Sequence, residues 1–344
     1  MKPWMRAFLP TFFKLIFAAS MMLASLCICA SAQWSFGLEN YLHRKLVGPE
    51  AVRVIRAHLI ESATDSGLES LVAWAKAGFP DLHDEHGIWS TEGMSVKLGV
   101  VHSIHYYFST SPPADKSARY LAILDELRSD DYISFQLVGS AHLFVDESTL
   151  EPKVEQLLQE SDAKLRAEGV RLGRTIAEHK PSLFDQYKQM LRSDNDPHVR
   201  TTILYSILGW RRKDVAYLAF ERLVNDLDAN VRDWGARGLR AAAEGRIFTA
   251  DDLPKILPAM LETNEPFVRI SIGQAAARVS TADQSLFIRT DKVTDELLHG
   301  FIGSVRMKGT RAGSALSEAQ LAKEWLAWWT PLIPEYTKQA QLLH

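Results

Sequence analysis

Apolar residues along much of this chain recur at steps of three and four, the spacing that gives a helix one apolar face. The pattern is clearest in residues 183–191, 215–224 and 253–261. Each of these runs is followed by a second one. The apolar or small positions are Val199, Ile203, Ile207 and Trp210, then Val231, Gly235, Leu239 and Ala242, then Val268, Ile272, Ala276 and Val279. Those steps put four residues on one side of a helix, so the segment 182–280 is expected to form three helix pairs. Gly235, Gly238, Ala241, Gly273, Ala275 and Ala276 lie in the second helices, where their size lets neighbouring helices approach closely.

The rest of the chain reads as mostly helical. Upstream, helices are expected over residues 49–62, 68–76, 117–127 and 133–144, with a charged amphipathic outer helix over 150–167. Residues 96–108 alternate as a strand would, yet Leu98, Val101, His105 and Phe108 also fit a helix, which the surroundings favour. Downstream, the glycine and small residues of 301–317 suggest a loop. A helix from Ser317 follows, carrying Trp325, Trp328 and Trp329.

Between the paired helices a short motif occurs three times, as Asp196-Pro197-His198-Val199-Arg200, Asp228-Ala229-Asn230-Val231-Arg232 and Glu265-Pro266-Phe267-Val268-Arg269. The valines are 32 and then 37 residues apart, a period typical of stacked supersecondary units. The acidic residue suits a helix N-cap, and proline in the first helical turn loses no backbone bond. This motif resembles that of HEAT repeats, over roughly a hundred residues. The resemblance implies an all-α fold, a right-handed α-solenoid of HEAT-like hairpins. It also implies a ladder in which the acidic residue of one repeat meets the arginine of the next. On this chain the ladder falls on Asp194, Arg200, Asp226, Arg232 and Arg269, with Thr263 breaking the third rung. The organisation then reads as a leader over 1–32, a helical region over 33–181, the three repeats over 182–280 and a capping region over 281–344. A repeat stack needs an end that covers its last apolar face, which the tryptophan-bearing helix supplies.

The N-terminus changes the expected location. Lys2, Arg6 and Lys14 precede an apolar run over 15–30, and Ala30-Ser31-Ala32 offers small residues for cleavage after Ala32. The expected protein is therefore periplasmic or secreted, with an uncleaved N-terminal anchor as the alternative. Both cysteines, Cys27 and Cys29, lie in the leader, so residues 33–344 contain no thiol nucleophile and no thiolate metal ligand. The leader holds three cations and no acids, so its removal takes the formal charge from −3 to −6. That balance disfavours nucleic acid and anionic membranes as partners and suits a basic protein.

Candidate chemistry is thin. Among metal-ligating residue types, the constellation is His83, Asp84 and His86 with His102 and His105 downstream. Its spacing matches no helical metalloprotease motif, and the surrounding glycine and proline residues suggest a polar surface loop. No glycine-framed serine, phosphate loop or dinucleotide fingerprint occurs, and no cofactor is expected. Asp130-Asp131 and Asp251-Asp252 read as helix caps. Arg306, Lys308, Arg311 and Trp325 form a possible contact for an acidic partner. The leading functional expectation is an exported, non-enzymatic protein that binds another protein through its helical stack. Two alternatives are a periplasmic immunity protein that neutralises a secreted toxin, and an envelope metallohydrolase built on the histidine cluster.

Overall fold

The computed structural model describes residues 64–79, 92–110, 112–281 and 286–339. Apart from one antiparallel pairing of Leu286–Ile288 with Thr337–Gln339, its regular structure is helical. The chain divides into two compact units, Met1–Asp146 and Glu147–His344. Residues 147–181 fall in the same unit as the motif-bearing hairpins. The expected helix over 49–62 lies outside the described residues, as do His83, Asp84 and His86.

In the first unit, helices α1 (Asp65–Lys76), α2 (Glu92–Thr110), α3 (Lys116–Glu126) and α4 (Asp131–Ser140) pack together, α1 against α2 and α3, and α4 against α2 and α3. The ambiguous residues 96–108 are thus helical. Val100, Val101, Ile104, Tyr107 and Phe108 are all buried, because a helical period puts them on one face. Asp130 caps α4 by accepting from the backbone N–H groups of Tyr132 and Ile133.

The second unit is built from antiparallel pairs. They are α5 (Glu147–Leu158) with α6 (Ala163–Leu172), α8 (Pro181–Ser193) with α9 (Pro197–Ile207), α10 (Lys213–Asn225) with α11 (Ala229–Glu244), and α12 (Leu253–Glu262) with α13 (Pro266–Val279). A short helix, α7 (Arg174–His179), joins the first two pairs. The single outer helix expected over 150–167 is in fact two. Ser161-Asp162 breaks it, and Asp162 caps α6 through the Lys164 N–H. The second helices form a continuous row, with α6 against α9, α9 against α11 and α11 against α13.

Glycine sets the closest approach in this row. A β-carbon at Gly235 would come within 2.7 Å of the Ala219 carbonyl oxygen and the Leu223 nitrogen, so α10 and α11 touch backbone to backbone there.

The end of the unit departs from the expected loop. Residues 301–312 belong to α14 (Asp295–Ala312), which buries Leu298, Phe301, Ile302 and Val305 and ends at Gly313 with φ 73°. Helix α15 (Glu318–Trp329) packs on α14 and on α12. It buries Trp325 and Trp329 completely against the apolar cluster that runs through α10–α14. Among the described residues no helix is long and apolar enough to cross a membrane.

Candidate interaction surface

Aspartates at the turns inside the hairpins act on two levels. Asp196 and Asp228 accept from the N–H groups of His198 (2.8 Å) and Asn230 (2.9 Å) and so cap α9 and α11. Asp194 and Asp226 stand two residues earlier and face the preceding hairpin. Arg166 on α6 grips Asp194 with two bonds of 2.8 and 2.9 Å, and Arg200 on α9 grips Asp226 with bonds of 2.9 and 2.8 Å. Each guanidinium also donates to a carbonyl of its own turn, Arg166 to Ser161 (2.7 Å) and Arg200 to Asp194 (2.7 Å).

The pairing therefore runs opposite to the expected sense. The arginine of one hairpin meets the acid of the next, because the residue after the buried motif position points towards the following pair. Three members of the ladder, Arg166, Glu265 and Asp295, lay outside the expected set. Arg166 sits in Asp162-Ala163-Lys164-Leu165-Arg166, the same motif with leucine in place of valine. Asp295, at the start of α14, accepts from Arg269 at 2.5 and 3.3 Å. At the third rung Arg232 reaches Glu265 at 3.4 Å, because Thr263 has no carboxylate to offer. Glu265 is 54% exposed, whereas Asp226 is 2% exposed, so this rung is much the weaker one.

The electrostatics follow from this burial. Burial pushes the Asp194 and Asp226 carboxyls up, but hydrogen bonds from Arg166 and Arg200 and from backbone N–H groups more than offset it, leaving both below the usual range. Asp295 is held low chiefly by the Arg269 hydrogen bond. Arg166 and Arg200 are held more firmly protonated by the same bonds. A surface depression of about 570 Å³ opens beside the Arg200–Asp226 rung, lined also by Arg192, Arg222, Asn195 and Leu227. Its guanidinium groups are already committed: Arg192 and Arg222 both bind Glu221.

A second feature crosses the row of second helices on its solvent side. Tyr205 on α9 is 45% exposed and meets half-buried Trp234 on α11 edge to face, with ring centres 5.3 Å apart. Arg237 lies over the Trp234 ring at 5.0 Å and pairs with Asp233 at 2.8 Å. Phe267, at the start of α13, is also 45% exposed. Counted from the motif residues Val199, Val231 and Val268, these side chains stand at positions plus six, plus three and minus one. The aromatic position thus steps back about one turn per helix and draws a diagonal across three hairpins. Aromatic spacing across repeats was the available sequence signal, hidden because the three residues occupy different motif positions.

The remaining sequence candidates divide. Trp325 is fully buried, and its indole N–H donates to Ser280 Oγ at 2.9 Å, so it is a core residue and not an exposed anchor. Lys308 pairs with Glu324, and Arg306 donates to the Leu261 carbonyl at 3.3 Å. Arg311 is exposed at the end of α14. His102 and His105 lie on α2. His105 Nε2 is 2.8 Å from Ser140 Oγ and 3.3 Å from the Tyr120 hydroxyl, and its ring stacks on Phe144 at 5.1 Å. Burial, with a smaller effect from His102, lowers its pKa from 6.5 to about 4. Among the described residues no group of three or more His, Cys, Asp or Glu is placed to hold a metal. No family model, curated protein or solved structure matches the chain.

Proposed function

We propose that this chain is an exported, non-enzymatic α-solenoid of HEAT-like hairpins that binds another protein through the exposed side of its second helices. The observation that carries the reading is the Arg–carboxylate ladder. It joins the four hairpins and α14 one to the next through Arg166–Asp194, Arg200–Asp226, Arg232–Glu265 and Arg269–Asp295. Such a ladder repeats one structural solution in register, and the result is a long, regular surface suited to a macromolecule. Export rests on the N-terminal leader pattern and on the absence of cysteine from residues 33–344.

The location is tested by N-terminal sequencing of the protein from its native host, with Gln33 as the expected first residue. Function is tested by crosslinking in the intact envelope. A discrete protein adduct, recovered with the wild-type chain and lost on charge and aromatic substitutions along α9–α13, is the expected result. Failure to capture any protein adduct rejects the reading.

A further inference from the structure

Helix α11 ends in a turn that places an arginine where glycine is usual. The Gly245 N–H donates to the Ala241 carbonyl at 2.8 Å and the Ile247 N–H to the Ala242 carbonyl at 2.9 Å, a helix-ending arrangement in which one residue turns left-handed. Glycine commonly fills that position, because other side chains crowd the backbone there. Here Gly245 stands one residue early, with φ −78°, and the left-handed residue is Arg246, with φ 56°. Its guanidinium has no hydrogen-bond or ion-pair partner among the described residues. Together with Arg278, Thr249, Thr281 and apolar residues such as Phe248, it lines a cavity of about 150 Å³ between this turn and the end of α13. No acidic residue lines the cavity. Asp252 touches Thr249 but is already bound by Lys213 at 2.8 Å, Tyr217 at 2.5 Å and the Thr249 N–H at 2.9 Å. Glu244 lines a different depression, beside Arg211, and Asp251 is exposed outside both.

We infer that this cavity binds one phosphate group, gripped between the guanidinium groups of Arg246 and Arg278. Arg278 is half-buried in the last turn of α13 and is held by an interaction of its own, so Arg246 supplies the uncompensated charge. A guanidinium is a planar fork of N–H donors that matches phosphate oxygens two at a time. Two such forks offer more donors than the two oxygens of a carboxylate can accept, which favours a tetrahedral oxyanion. The apolar part of the lining lowers the local dielectric and strengthens the attraction. A residue kept in a sparsely populated backbone conformation points to a role for its side chain that glycine could not fill. The site lies at the opposite end of α11 from the Arg–carboxylate ladder and is independent of the protein-binding reading.

Calorimetric titration of the purified full chain with inorganic phosphate, at fixed ionic strength, tests this. Saturable binding of one phosphate per chain is expected. Arg246→Gly removes the guanidinium yet suits the left-handed backbone, so it should keep the fold and weaken binding about tenfold or more, as for losing hydrogen bonds to a charged group. Arg278→Gln should weaken binding similarly. Arg211→Gly is the control, because Arg211 is also left-handed, with φ 52°, but lines the other depression. It should bind as the wild type does, and circular dichroism checks every fold. Absence of saturable binding overturns the inference, as does chloride binding of equal strength. Phosphate binding that survives either Arg246→Gly or Arg278→Gln, or that falls equally in Arg211→Gly, overturns it too. Glycerol phosphate separates two sources of the group. Its displacement of inorganic phosphate assigns the site to an esterified phosphate and its failure to displace assigns the site to the free ion, and both results uphold the inference.

Discussion

Arg200→Ala is the sharpest probe of the ladder. The substitution removes two bonds to Asp226 and one to the Asp194 carbonyl, and it leaves the Asp226 carboxylate 2% exposed. Its remaining partners are the Asp228 N–H at 3.0 Å and Arg222 at 3.7 Å, which do not replace a bidentate guanidinium. Breaking a buried pair by removing one partner costs about 3–5 kcal/mol. Glu265→Ala breaks the neighbouring rung, but there the carboxylate is 54% exposed and the contact is 3.4 Å, so the cost is about 0–1 kcal/mol.

Urea unfolding followed by circular dichroism reads both variants. Because stacked hairpins can open in parts, hydrogen exchange of α9 and α11 accompanies it. Arg200→Ala should lower the midpoint strongly and deprotect both helices, while Glu265→Ala stays close to wild type. Equal effects from the two substitutions would refute the claim that burial sets the strength of each rung. Arg200→Met combined with Asp226→Leu should recover most of the loss, since no charge is then left buried.

Other expectations follow from the same packing. Gly235→Ala drives a methyl into the α10 backbone, which cannot move aside, so overpacking outweighs the helix-propensity gain and the net cost is about 1–2 kcal/mol in thermal unfolding. Gly273→Ala meets the Leu298 side chain rather than backbone and should cost less. His105 holds fewer protons when folded than when unfolded, so its contribution is complete above pH 6.5 and is lost as pH falls towards about 4. The ring keeps partial access to water, so the loss is about 1–2 kcal/mol, and His105→Leu should flatten the stability profile across that window. Asp194, Asp226 and Asp295 act in the same direction at lower pH. Their contribution is present above the ordinary carboxylate range and is lost as pH falls through their lowered folded values. Trp325→Ala should cost about 3–5 kcal/mol and expose the C-terminal helices first in limited proteolysis, whereas Arg311→Ala should be silent in the same assay.

What could be read from the sequence was mainly local. Asp196 and Asp228 cap their helices because the donor lies two residues away in the same turn, and the apolar steps after them mark the buried face directly. The sense of the ladder was not readable, since it depends on which neighbouring hairpin an arginine faces. Arg166 escaped because Leu165 stands where the other copies carry valine, although the spacing of 34 to Val199 fits the period. In α14 the glycines outweighed the apolar steps in the reading. Gly300 and Gly303 are exposed, however, while Leu298, Phe301, Ile302 and Val305 keep helical spacing and are buried. A glycine signals a loop only when the pattern around it also fails.

The weak rung at Thr263 raises the question of what holds α11 to α13. The apolar cluster gives the physical answer. It begins at Ala216, passes through Leu239, Phe248, Leu257, Met260 and Ile272, and reaches Trp325 and Trp329 without a break. The Arg232–Glu265 joint therefore lies inside the part of the unit where several large side chains are wholly buried. Burial of apolar area is non-directional and tolerates a missing carboxylate, whereas the joints at Asp194 and Asp226 use fixed bidentate geometry.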